Sequence, residues 1–143
     1  MNIQIFGDSC ASGYLLVELL NKNRNFKKIN CFSRRKEFPF FVDLDVSTNL
    51  QGFEVEEESI IISFAPIWKF TNFLLRVKKS KPDFFINIKG MIICSSSSAI
   101  TKRFSFSNFD KNLAKNLLKS EKSLENICNQ FDISLTILRP SMI

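Results

Sequence analysis

The stretch Ile3-Gln4-Ile5-Phe6-Gly7-Asp8-Ser9-Cys10-Ala11-Ser12-Gly13-Tyr14-Leu15-Leu16 leaves this chain few ways to fold. Its apolar start, with β-branched Ile3 and Ile5, reads as a buried strand. A loop of small residues containing Gly7 and Gly13 follows, and Tyr14 to Leu20 reads as a mostly apolar helix. Strand, glycine loop and helix in that order aim backbone N–H groups and the positive end of a helix dipole at one point. Such a point suits a phosphate or pyrophosphate.

The loop has the spacing Gly-x-x-Gly-x-x-Gly with Cys10 in place of the middle glycine. In dinucleotide sites the first glycine makes the tight turn and the last lets helix and strand pack closely. The middle one lets the backbone approach the phosphates. Cys10 sets a Cβ and a sulfur on that approach, so the expected phosphate site is present but compromised. The competing reading is that Gly7 and Gly13 serve only a close strand-to-helix packing, because a two-glycine loop is not specific.

At 143 residues the chain is sized for one domain with a real core, and its 45% hydrophobic content indicates a globular fold. There is no His, which removes the commonest general base and the commonest metal ligand. Cys10, Cys31, Cys94 and Cys128 are too scattered for a zinc site or a disulfide framework, so no metal is expected. The N-terminus enters a strand at once, so the sequence predicts no secretory leader and a reducing cytoplasm. Pro66, Lys69 and Arg76 interrupt the one long apolar stretch, Ile60 to Val77, which reads as strand then helix rather than a membrane span. The net charge of +6 is spread among acids, reading as solvated surface, with neither nucleic acid nor membrane expected as a partner.

After a first helix from Gly13 to about Asn23, Lys28–Ser33 makes a second strand ending at Arg34-Arg35-Lys36. In a dinucleotide fold this strand end meets the adenosine ribose, where an acid suits NAD and an arginine the 2′-phosphate of NADP. Ser33, Arg34 and Arg35 stand there without a carboxylate, favouring NADP(H) over NAD(H) if a cofactor binds; otherwise the arginines sit in a solvated turn. Phe38–Val42 reads as a short third strand delivering Asp43-Leu44-Asp45, and Val46 to Ser59 as an acidic surface loop with a short helix. Ile60–Phe64 is an apolar strand of the kind parallel sheets bury on both faces, closed by Ala65-Pro66. Ile67 to Lys79 reads as a helix, Met91–Cys94 as a fifth strand running into Ser95 to Ser98, Asn108 to about Gln130 as the longest helix, and Leu135–Leu138 as a sixth strand stopped by Arg139-Pro140. The alternation predicts a Rossmann-like three-layer αβα domain, a parallel sheet of about six strands, spanning residues 1–143.

With these parts in order, the chain resembles the extended short-chain dehydrogenase/reductase family, the NAD(P)-dependent epimerase/dehydratase group, and in particular its atypical members. The resemblance rests on the glycine loop, Ser33-Arg34-Arg35, Asp43-Leu44, Phe64-Ala65-Pro66, Ser95-Ser96-Ser97 and Leu138-Arg139-Pro140. It implies that Gly7, Ser9, Cys10, Ala11, Ser12 and Gly13 cradle pyrophosphate and that Arg34 and Arg35 meet the 2′-phosphate. Asp43 and Leu44 would border adenine, Ala65 and Pro66 would line the nicotinamide side, and Ser33, Ser95 and Ser96 would also bind the cofactor.

In that family a serine after the fifth strand works with a Tyr-x-x-x-Lys pair on the next helix. The lysine lowers the phenol's pKa, which near 10 is otherwise too high for a base at neutral pH. The resemblance places the serine at Ser97. Alignment through the glutamate that follows the lysine by four positions, here Glu121, puts Leu117 on the lysine and Leu113 on the tyrosine. Lys115 and Lys119 are turned by about 200° from the Leu117 direction, and no tyrosine precedes either by four. Glu121 itself reads as a solvated helix residue.

The family continues beyond Leu-Arg-Pro into a smaller substrate domain, which this sequence lacks. The expectation is therefore either a fragment or a free-standing cofactor domain, with apolar surface open to self-association or a protein partner. Three functions stay open: a cofactor-binding pseudoenzyme, an active oxidoreductase or sugar-nucleotide epimerase with a substituted mechanism, and a scaffold of the same fold that binds no nucleotide.

Overall fold

The computed structural model describes residues 1–23, 25–34, 40–45 and 57–141. Six strands, β1 (Asn2–Phe6), β2 (Lys28–Ser33), β3 (Phe40–Phe41), β4 (Ser59–Ser63), β5 (Ile88–Cys94) and β6 (Ser134–Leu138), form one sheet in the order β3-β2-β1-β4-β5-β6. Every neighbouring pair is parallel. The helices are α1 (Ala11–Lys22), α2 (Ile67–Ser80), α3 (Ser98–Thr101) and α4 (Asn108–Gln130), with a 3₁₀ turn at Pro82–Phe85. This is the expected Rossmann-like α/β architecture, and its chain reverses direction across the sheet between β1 and β4.

Period-two alternation divides the core. Ile3, Ile5 and Ile62 face one side, where Leu16, Val17 and Leu20 of α1 pack on them. Phe6, Phe32, Ile61, Met91 and Ile93 face the other side, against α2 and α4. Flat rings fill that second interlayer: Phe6 stacks on Phe32 at 4.8 Å and meets Phe70 at 5.1 Å. On the same side of β1, Asn2 and Gln4 are also buried, although the strand reads as apolar. Register explains Gln4: it lies opposite Asn30, whose Nδ2 donates to Gln4 Oε1 at 3.0 Å, while Gln4 Nε2 donates to the Ser59 hydroxyl at 3.4 Å. A buried amide satisfied from both neighbouring strands costs little and disfavours slipped registers.

The long helix α4 starts at Ser107, whose hydroxyl accepts from the Asp110 amide. It stops at Asp132, which adopts a left-handed φ of 55° while the Ile133 N–H donates back to Cys128 O at 2.8 Å. Residues 35–39 and 46–56 lie outside the described residues, and with them Arg35, the start of the expected third strand and most of the expected acidic loop. Among the described residues no helix is long and apolar enough to cross a membrane.

Candidate functional site

Gly7 takes φ +71°, and a Cβ on it would stand 2.7 Å from the Ala65 backbone nitrogen. Only a glycine lets the end of β1 cross the segment leaving β4 there. A Cβ on Gly13 would stand 2.5 Å from Asp8 O, so the second glycine lets α1 sit directly on its own loop. Both glycines are thus required by packing, and that packing holds the helix N-terminus over the C-terminal ends of the central strands.

Cys10 occupies the N-cap of α1. Its sulfur accepts from the Gly13 N–H at 3.3 Å, and its carbonyl accepts from the Tyr14 N–H at 3.0 Å. The exposed thiol is therefore folded back on the first turn and takes up an amide that a phosphate would otherwise use. Ala11 and Ser12 belong to the same first turn, whose amides have no acceptors within the helix. Asp8 is buried beside Cys31. Burial, and then the charge and hydrogen bonding of Asp8, push the Cys31 thiol up to about 12.

Beside this loop lies a cleft of about 780 Å³, walled by the C-terminal ends of β1, β2 and β4 and the segment after β3. Of the residues marked in the sequence, it gathers Gly7, Ser9, Cys10, Ser33, Arg34, Asp43, Leu44, Ala65 and Pro66. Ala11, Ser12 and Gly13 adjoin it in α1. The cleft also has parts that sequence reasoning missed. Lys69, in the first turn of α2, pairs with Asp45 at 2.8 Å, and the Arg76 guanidinium donates to Leu44 O. The hydrogen bond from Lys69, reinforced by the charges of Lys69, Arg34 and Arg76, holds the Asp45 carboxyl below its ordinary range. Lys69 stands three residues beyond Pro66, so one helical turn carries it back to the strand end; that spacing was the available signal.

Ser95, Ser96 and Ser97 stand apart from this cleft. Ser95 Oγ donates to Glu121 Oε1 at 2.6 Å, and Ser96 Oγ accepts from the Ser98 N–H at 3.2 Å. The Ser97 N–H donates to Pro140 O at 3.3 Å, and Ser97 precedes α3 without a side-chain cap bond. Glu121 is not solvated, contrary to the sequence expectation. It is buried, and Arg139 Nη2 and Nε reach its two oxygens at 2.5 and 3.1 Å. The helix face, not charge alone, decides this: Glu121 lies on the same side of α4 as buried Leu117, Leu124 and Cys128. Burial raises its carboxyl, but the hydrogen bonds from Arg139 and Ser95 and the guanidinium charge outweigh it and leave it below the ordinary range. Leu117 is part of the main core and Leu113 packs against it.

No family model matches the chain, and no curated protein matches it. Among solved structures it is similar to the UDP-glucuronic acid 4-epimerase of Bacillus cereus, determined in complex with NAD. That likeness has a TM-score of 0.63 and 14% identity, over 99% of this chain and 56% of the epimerase. It is also similar to vestitone reductase from alfalfa (Medicago sativa), with a TM-score of 0.59 and 18% identity, over 96% of this chain and 56% of the reductase. The chain thus shares their fold and spans little more than half the length of each.

Proposed function

We propose that this chain binds a nicotinamide dinucleotide, NADP(H) in preference to NAD(H), as a relative of the epimerase/dehydratase group that lacks the usual proton-transfer pair. One observation carries the reading: the Gly7–Gly13 loop sets the N-terminus of α1 at the point where strand order reverses, beside a cleft of about 780 Å³. The uncapped first-turn amides of Ala11 and Ser12 suit a pyrophosphate, and the hydroxyls of Ser9 and Ser12 add donors. Arg34 supplies positive charge at the end of β2, with Arg35 proposed beside it; Asp43, Leu44, Ala65 and Pro66 form the adenine and nicotinamide walls. The NAD held by the Bacillus cereus epimerase supports a nicotinamide dinucleotide as the ligand, whereas the preference for NADP(H) rests on the arginines alone.

When bound, the nicotinamide would supply or accept hydride. The chain's own contribution is to orient it and to shield the cleft, because Leu113 and Leu117 offer neither a phenol nor an ammonium to move a proton. Ser95 and Ser96 are proposed as cofactor contacts although they lie outside the cleft and the Ser95 hydroxyl is spent on Glu121, and Ser97 would touch a ligand only as a hydrogen-bonding group. Titration with NADPH and with NADH, followed by energy transfer from Trp68, should saturate with both and earlier with NADPH. No saturable signal with either up to millimolar concentration would end the proposal.

The capping bond of Cys10 favours a second reading, a scaffold that binds no nucleotide. Cys10→Gly separates the two. Releasing the Gly13 N–H and clearing the approach should tighten NADPH binding about tenfold, while the loss of helix stability stays near a few tenths of a kcal/mol. Unchanged binding would support the scaffold. Alkylation gives a second check. Cys10 is the exposed thiol, whereas burial raises the thiols of Cys31, Cys94 and Cys128, so labelling should fall on Cys10 and slow severalfold with NADPH. Equal rates with and without NADPH would count against cofactor binding.

A further inference from the structure

Phe104, Phe106 and Phe109 are 81%, 103% and 76% exposed, the most exposed large apolar side chains among the described residues, and Ile100 stands open near them. Scattered exposed apolar residues need no explanation, but three rings within six positions do. Their loop is not loose. Ser105 N–H donates to Lys102 O, Ser105 Oγ to Asp110 Oδ2 at 3.2 Å, and Ser107 N–H to Ser105 Oγ at 3.1 Å, while Lys102 pairs with Asp110 at 2.8 Å. The alternation Phe104-Ser105-Phe106-Ser107 thus spends its hydroxyls on the loop itself and turns its rings to solvent.

The net charge around these rings is positive. Arg103 lies over the Phe104 ring at 5.0 Å, and Asp110 is neutralised by Lys102. Lys111, Lys115 and Lys119 follow on successive turns of the solvent face of α4, exposed and in no ion pair among the described residues. We propose that this phenylalanine loop and the lysine row behind it dock the protein peripherally on an anionic phospholipid surface. The rings would enter the headgroup–acyl boundary, and Arg103 and Lys111 would remain among the lipid phosphates. Convexity favours a bilayer over a polypeptide or a single-stranded nucleic acid. Phe106 has no wall beside it to form a groove or stacking platform, and the polar side chains that could read a peptide or a base edge are turned inward. Docking by this loop would not require a bound cofactor.

The test is flotation of the full chain with vesicles of phosphatidylcholine alone or with about one-third phosphatidylserine. The chain should float with the anionic vesicles and lose that binding in high salt. Phe104→Ser with Phe106→Ser should weaken it at least tenfold, with the thermal transition unchanged because both rings are already in water. Lys111→Gln should weaken it about fivefold and Lys119→Gln less, since two helical turns carry Lys119 roughly 12 Å further back, beyond a Debye length. Equal flotation with neutral vesicles, no flotation, or wild-type flotation of the phenylalanine variant would each overturn the proposal. So would capture of an oligothymidine, or a concentration-dependent dimer, that the same variant abolishes.

Discussion

Gly7→Ala is expected to destabilise the protein by about 3 kcal/mol, seen as a lower urea midpoint with an unchanged slope. Two independent penalties combine. An L-residue at φ +71° costs roughly 1–2 kcal/mol, and the new methyl would lie 2.7 Å from Ala65 N and 3.0 Å from its Cα, which are backbone atoms unable to swing away. Relief would require parting β1 from the segment after β4, where the Phe64 N–H donates to Phe6 O at 2.9 Å. Against a total stability of about 5–15 kcal/mol this is a large loss. Gly90→Ala is the matched control. Its Cβ would meet only Ser134 O at 3.6 Å, an ordinary contact, so its effect should stay within about 0.5 kcal/mol. If Gly7→Ala cost no more than Gly90→Ala, the crossing at the loop would not be as tight as described.

Some of this was legible in the sequence because local pattern and tertiary role agree. Lys28–Ser33 and Asn108–Gln130 coincide with β2 and α4, since turn chemistry and a 3.6-residue stripe bound them on both sides. The sequence marks β5 only from Met91, whereas the strand begins at Ile88; Lys89 and Gly90 do not read as strand, yet Ser59 and Ser134 pair with Ile88 and Gly90. Short elements without a period, α3 and the Pro82–Phe85 turn, leave no pattern in the sequence. At the candidate site, the loop and the strand ends follow from order along the chain. Lys69–Asp45 and Ser95–Glu121–Arg139 do not, because each joins elements that only the sheet order brings together. Glu121 shows why a charge is a poor guide to exposure: its partner Arg139 lies 18 residues further along the chain, and without it burying the carboxylate is costly.

Arg139→Ala should therefore cost about 2 kcal/mol at pH 7. Removing one member of a buried ion pair typically costs 3–5 kcal/mol, but here the Arg139 side chain is 41% exposed while that of Glu121 is 4% exposed, so solvent already screens part of the attraction. What remains is a buried Glu121 carboxylate held by the Ser95 hydroxyl alone. The pH dependence identifies the cause. In the parent protein the Glu121 carboxyl lies below its ordinary value, so its contribution is present above the ordinary carboxylate range and is lost as pH falls through the lowered folded value. In the variant the two lowering influences of Arg139 are gone, so burial, the largest single influence in the parent, is expected to outweigh the Ser95 bond and raise the carboxyl, and acidification should then relieve the destabilisation. The stability gap between parent and variant should narrow steadily from pH 7 toward about pH 4, as measured by urea unfolding at each pH. Glu121→Gln in the Arg139→Ala background should recover part of the loss at pH 7 and flatten the pH response, because a neutral amide can still accept from Ser95. A gap that stays constant with pH would mean that Arg139 acts by packing its stem and not by charge, and the reading of Glu121 as a buried carboxylate held down by its partners would fail.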